Sequence, residues 1–163
     1  MPTSVNDQVT FLKSVIFSSD VTLPANSFGD TQASVAAPLG VTKTVHQYNE
    51  RFAQAGGTAA TAETRVVYVA KSAGVVASFR AGSIAAAVGD STVSVEFKKN
   101  GTTVLAAAVA LDNANTAYVP EAGSVNTTAY VAGDVFTVQV AISAGTGTLP
   151  QGVFASAVFQ EAT

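Results

Sequence analysis

The sequence has no cysteine, no tryptophan and a single histidine. Without thiols there is no disulfide framework and no thiol chemistry. A zinc centre needs several Cys or His ligands, and His46 stands alone. A Ser-His-Asp triad would have to use that same histidine, and no G-x-S-x-G motif accompanies it. Charge is scarce as well: Asp, Glu, Lys and Arg make up 12% of the 163 residues, and the net charge is −3. Eight Lys plus Arg form no basic footprint, which argues against a nucleic-acid partner. No uninterrupted apolar run has the length of a membrane span. The first residues, MPTSVNDQVTFLKSVIF, lack the basic region and long apolar core of a secretory leader. Neither membrane insertion nor leader-directed export is expected.

What is present is a chain 48% hydrophobic, dominated by Ala, Thr, Val, Ser and Gly. That mixture favours pleated structure with many turns. Leu, Glu and Lys are too few for a helical bundle. A surface so poor in charge is weakly protected against association, which suggests that partners cover part of it.

The clearest local signal is TVSVEFKKNGTTVL. Val93, Val95 and Phe97 alternate with polar residues, the mark of a strand with one dry face. Asn100–Gly101 then supplies a two-residue hairpin turn, with Lys98 and Lys99 as solvated flanks. Thr103 to Leu111 is expected to run back as the partner strand. DVFTVQVAIS alternates too: Val135, Thr137, Gln139 and Ala141 on one face, Phe136, Val138, Val140 and Ile142 on the other. RVVYVA, VVASFRAG and VFASAVFQE complete the strand set, with SIAAAVGDS a short strand or loop and residues 115–131 a loop between short pieces. These features predict an all-β chain, an antiparallel β-sandwich of jelly-roll type over residues 65–163.

Residues 1–64 differ. They are thin in large apolar groups, broken by Pro24 and Gly29, and read as an extended, largely irregular N-terminal arm. Val15–Phe17 and Val21–Leu23 are short extended pieces. Val41, Val45, Tyr48 and Phe52 follow a helical spacing, but the β-branched residues around them favour extended or irregular backbone. An arm of this composition becomes ordered on binding something else.

Chemistry-bearing clusters are sparse. Asp112, Asn113 and Asn115 do not match a calcium loop and read as turn residues. Glu121 and Asp134 have no spacing that favours glycoside chemistry, and aromatic sugar platforms are few. SAGTGT lacks the lysine of a phosphate loop. No catalytic residue, cofactor or metal site is expected.

The blocks GDSTVSVEFKKNGTTVL and YVAGDVFTVQVAISAGTGTLPQGVFASAVFQE resemble small virion structural proteins of tailed bacteriophages. Their order is Gly-Asp, strand, Lys-Asn-Gly-Thr, strand, Ala-Gly-Asp, strand and a Gly-Thr-Gly turn. The upstream pieces VTLPANSFGD and HQYNERFAQ are similar to the leading segments of such proteins. The resemblance implies a capsid decoration (cement) protein or head fibre, non-catalytic and commonly a homotrimer. It would be made in the host cytoplasm and end on the capsid surface, with the major capsid protein as partner. On that reading Val15, Ile16, Phe17, Val21 and Leu23 are the expected docking groups; the alternative is that they fill the protein's own core. Rival functions are a trimeric fibre or spike tip that binds a host receptor or glycan, and a carbohydrate-active enzyme.

Overall fold

A computed structural model of the chain describes residues 35–36, 40–41, 45–143 and 145–162. Among these residues there is no helix. Two short strands, β1 (Val35–Ala36) and β2 (Gly40–Val41), pair with each other. The ten strands that follow form two antiparallel sheets packed face to face, a β-sandwich.

Sheet 1 has the order β10-β5-β12-β3, with β9 also on β5. Its strands are β3 (Val45–Ala53), β5 (Gly74–Ala85), β9 (Glu121–Gly123), β10 (Ala129–Tyr130) and β12 (Gln151–Ala162). Sheet 2 has the order β4-β11-β6-β7, with β8 also on β6. Its strands are β4 (Glu63–Val69), β6 (Thr92–Lys99), β7 (Thr102–Thr103), β8 (Val109–Leu111) and β11 (Val135–Ser143).

The alternation read from the sequence decides which face is buried. Along β11, Phe136, Val138 and Val140 are buried, and along β6 so are Val93, Val95 and Phe97. On β12 the inward set is Val153, Ala155, Ala157 and Phe159. Between the sheets, Phe97 stacks on Phe79 at 4.9 Å; within sheet 2 it stacks on Phe136 at 5.4 Å. Phe136 meets Phe159 edge to face at 4.9 Å. Phe52, Phe79, Phe97, Phe136 and Phe159 are each no more than 2% exposed. Each buried ring contributes roughly 1.5–3 kcal/mol by transfer from water, and well-set aromatic pairs add about 0.5–1.5 kcal/mol.

The hairpin at Asn100–Gly101 forms as its dipeptide requires, with φ of 49° and 83°. Its return strand is shorter than expected. β7 pairs with Lys98 and Lys99 for only two residues, and β8 rejoins β6 at Val93–Val95. Between them Val104 and Leu105 turn into the core, and Leu105 bridges to Val125. Ala106 to Ala108 offer little side-chain area to hold a ladder, so the chain follows the larger buried groups. β5 is longer than expected: one twelve-residue strand includes Ser83–Ala85 at its end.

The sandwich also begins earlier than the expected boundary at residue 65. β3 pairs with β12 without interruption from Val45↔Ala162 to Ala53↔Phe154. The extended reading of HQYNERFA holds, but those residues belong to sheet 1 and not to an arm. Their alternation is faint because β3 is an edge strand and, of residues 46–53, only Phe52 is fully buried. Val15, Ile16, Phe17, Val21 and Leu23 lie outside the described residues.

Replacing Phe97 by Ala removes the ring that joins both sheets and is expected to cost about 3–5 kcal/mol. Urea denaturation of the variant measures this, and a loss below about 1 kcal/mol contradicts the account of the core.

Candidate functional site

The strands converge on two poles. At the near pole β3 begins and β12 ends, side by side in one ladder. The turns around Ser72, Asn100 and Gly133 lie there too. At the far pole Ala85 pairs with Gln151, Val88 bridges to Thr148, and Ala59 bridges to Gln151.

The near pole contains the main buried polar group. Glu161 continues the inward register of β12, and it is 4% exposed. Tyr68 on β4 donates its hydroxyl to Glu161 Oε1. The Ser72 hydroxyl donates to Oε2 at 2.8 Å. The Tyr130 hydroxyl lies 3.5 Å from Oε1 and 3.4 Å from the Gln160 carbonyl. This approach requires a glycine at position 74, since a Cβ there would overlap the Gln160 carbonyl and the Tyr130 hydroxyl. The aromatic cluster extends outward: Tyr68 packs on Phe159 at 4.4 Å, Tyr48 stacks on Tyr68 at 6.3 Å, and His46 stacks on Tyr48 at 6.5 Å.

Electrostatics follow from that geometry. Burial pushes the Glu161 carboxyl up, but the donors Tyr68, Ser72 and Tyr130 outweigh it, so its pKa is held below the usual value. Burial, then the bond to Glu161 and that carboxylate's charge, push Tyr68 up to about 12. Burial and the Glu161 charge push Tyr130 upward as well. The carboxylate is an acceptor already saturated by its neighbours, and the phenols are held protonated. A group so satisfied serves to tie β12, β4, β10 and the turn at Ser72 together; it is poorly suited to proton transfer near neutral pH.

The motifs that carried the phage resemblance pair off into two latches. At the near pole Asn100 Nδ2 donates to Asp134 Oδ1 at 2.7 Å, and Asn100 Oδ1 accepts the Val135 N–H at 2.8 Å. Lys-Asn-Gly thus closes on Gly-Asp. The Val131 N–H and the Asn100 amide hold Asp134 below the usual carboxylate range. Lys99 reaches the Ala129 carbonyl at 2.8 Å, so it fastens β10 and is not simply solvated. At the far pole the Thr146 N–H donates to Asp90 Oδ1, and its hydroxyl donates at 3.0 Å. Gly-Asp thus closes on Gly-Thr-Gly. The Thr146 hydroxyl and N–H hold Asp90 low.

The other sequence candidates are separate. His46 is exposed on β3. Asp112 and Asn115 cap their own turn, through Asn115 Oδ1 accepting the Asp112 N–H at 2.5 Å and Asp112 Oδ1 accepting the Ala114 N–H at 2.8 Å. Glu121 accepts from Asn115 at 3.2 Å, while Asp134 is engaged by Asn100. Among the described residues no three His, Cys, Asp or Glu groups converge to hold a metal. A shallow groove of about 460 Å³ runs beside Glu63, Thr64 and Gln139–Ile142. Its one carboxylate, Glu63, is bonded to Arg65 and Gln54.

Sequence reasoning missed Glu161, although a signal was present. The series Val153, Ala155, Ala157, Phe159 has period two, and its next member is Glu161. It also missed Tyr118, held at φ 64° and 71% exposed, with its N–H bonded to the Ser83 carbonyl. No protein family, curated protein or solved structure matches this chain.

Stability should respond to acid through Glu161. Its folded pKa is lowered, so its contribution is complete above the unfolded pKa, about 4.3, and is lost as pH falls below that through the folded value. Glu161→Gln is expected to flatten this acid limb in denaturation curves between about pH 5 and 2. Tyr68→Phe removes one donor from the buried carboxylate and is expected to cost about 1–3 kcal/mol at pH 7. An unchanged acid limb in Glu161→Gln contradicts the assignment.

Proposed function

We propose that this protein is a bacteriophage capsid decoration protein, which binds the outer head surface in many copies and stabilises the shell without catalysis. The observation that carries the reading is the polarity of the sandwich. β3 begins at the pole where β12 ends, and the loops around Val88, Tyr118 and Thr146 occupy the other. That arrangement suits a body tethered at one end by a leading segment. The phage-like motifs support the reading because each forms a latch that fixes the body's shape. The saturated Glu161 supports it too, because the main buried carboxylate is structural.

In this reading Val15, Ile16, Phe17, Val21 and Leu23 dock on the major capsid protein or on adjacent copies of the chain. Each contributes at most about 1.5–3 kcal/mol when fully buried. Repetition over the shell multiplies a weak single contact into a large resistance to opening.

One feature favours a second reading, a fibre or spike tip. Tyr118, exposed and held in the left-handed region, stands with half-exposed Val119 at the far pole, where a receptor or glycan would meet it.

A chain lacking residues 1–30 is expected to keep its sandwich, by circular dichroism, and to lose co-sedimentation with heads stripped of the protein. Truncated protein that still decorates heads overturns docking through the leading segment, and full-length protein that does not bind heads overturns the decoration reading. Binding of the full chain to a glycan array or to host cells, with none to heads, establishes the tip reading instead.

A further inference from the structure

The sheets are guarded unequally. On one side the outermost strands, β7, β8, β9 and β10, are two or three residues long, and short edges offer little to a new strand. On the other side β4 has a register shift opposite Phe136–Thr137, which also discourages pairing. β3 has no such protection. It is nine residues long, has no lysine or proline, pairs with β12 in unbroken register, and has no other partner strand among the described residues.

The side chains along this edge match a reversed copy of themselves. His46, Tyr48 and Glu50 stand opposite Glu161, Phe159 and Ala157, so they share the inward-facing side. Gln47, Asn49 and Arg51 share the outward side. Around Tyr48 the order is His, Gln, Tyr, Asn, Glu: donor ring, amide, aromatic, amide, carboxylate. All but Glu50 are exposed, and Glu50 is half-buried. Neither His46 nor Glu50 has an ion-pair partner among the described residues.

We propose that β3 pairs antiparallel with β3 of a second copy, about a two-fold axis through Tyr48. In that register each His46 faces the other copy's Glu50, each Gln47 faces Asn49, and the two Tyr48 rings face one another. Opposite charges and aromatic pairs directly across a ladder are favourable, and both strands gain main-chain bonds. Paired residues 45–51 leave the Ala53 carbonyl with Arg65, which donates to it at 3.1 Å. Sheet 1 then continues across the axis into its copy. The pairing is isologous and closes on itself; it stands independently of the decoration reading.

A charge exchange between two variants of the full chain tests this register. His46→Asp sets a second carboxylate against Glu50 in a homodimer, and Glu50→Lys sets an ammonium against His46. Analytical ultracentrifugation is expected to show a wild-type dimer and at least tenfold weaker self-association of each variant. An equimolar mixture of the two is expected to form a heterodimer. There the carboxylate introduced in one chain meets the ammonium introduced in the other, and the remaining Glu50 meets the remaining His46. Amide exchange in wild-type β3 is expected to slow as protein concentration rises. A mixture that remains monomeric overturns the proposal, as does a wild-type assembly that both variants retain. Exchange in β3 that does not depend on concentration overturns it without recourse to any variant.

Discussion

The sandwich is organised by the contact between Phe97 and its neighbours. Phe97 touches Phe79 across the gap between the sheets and Phe136 on the adjacent strand, and Phe136 in turn meets Phe159. Once those rings interlock, the registers of β5, β6, β11 and β12 are set, because a slip by one residue would turn each ring out to solvent. The polar devices at the two poles are secondary to this. Asn100–Asp134 and Asp90–Thr146 close turns whose ends the core has already brought together.

Glu161 shows the limit of that apolar logic. It occupies a core position of β12, and its charge is tolerated because Tyr68, Ser72 and Tyr130 reach it from three different segments. A buried carboxylate with enough donors orients its neighbours at modest net gain. Its value is specificity: β4, β10 and the turn at Ser72 must all arrive in one arrangement for the group to be satisfied.

Much of the architecture was legible in the residues. Alternation marked β6 and β11 with the correct inward face, and Asn100–Gly101 marked its turn. Where the two sides of a strand differ little, the signal faded. β3 exposes most of its side chains, so its membership in sheet 1 rests on a ladder of main-chain bonds that leaves little trace in composition. The alanines after Leu105 hid the break between β7 and β8, since small side chains pack acceptably in several registers. Glu161 and its tyrosines come from segments far apart in the chain, and only the fold brings them together.

The position of β12 has a consequence for how the molecule is made. It is an interior strand of sheet 1, flanked by β5 and β3, yet it follows both in the chain. During synthesis β3 and β5 emerge early with a strand-wide gap between them, and the edges that face this gap wait unpaired until residues 151–162 leave the ribosome. Pairings between such distant segments form slowly, and uncovered strand edges invite association with other nascent chains. The interval between the synthesis of β5 and that of β12 is therefore the one in which aggregation competes with folding.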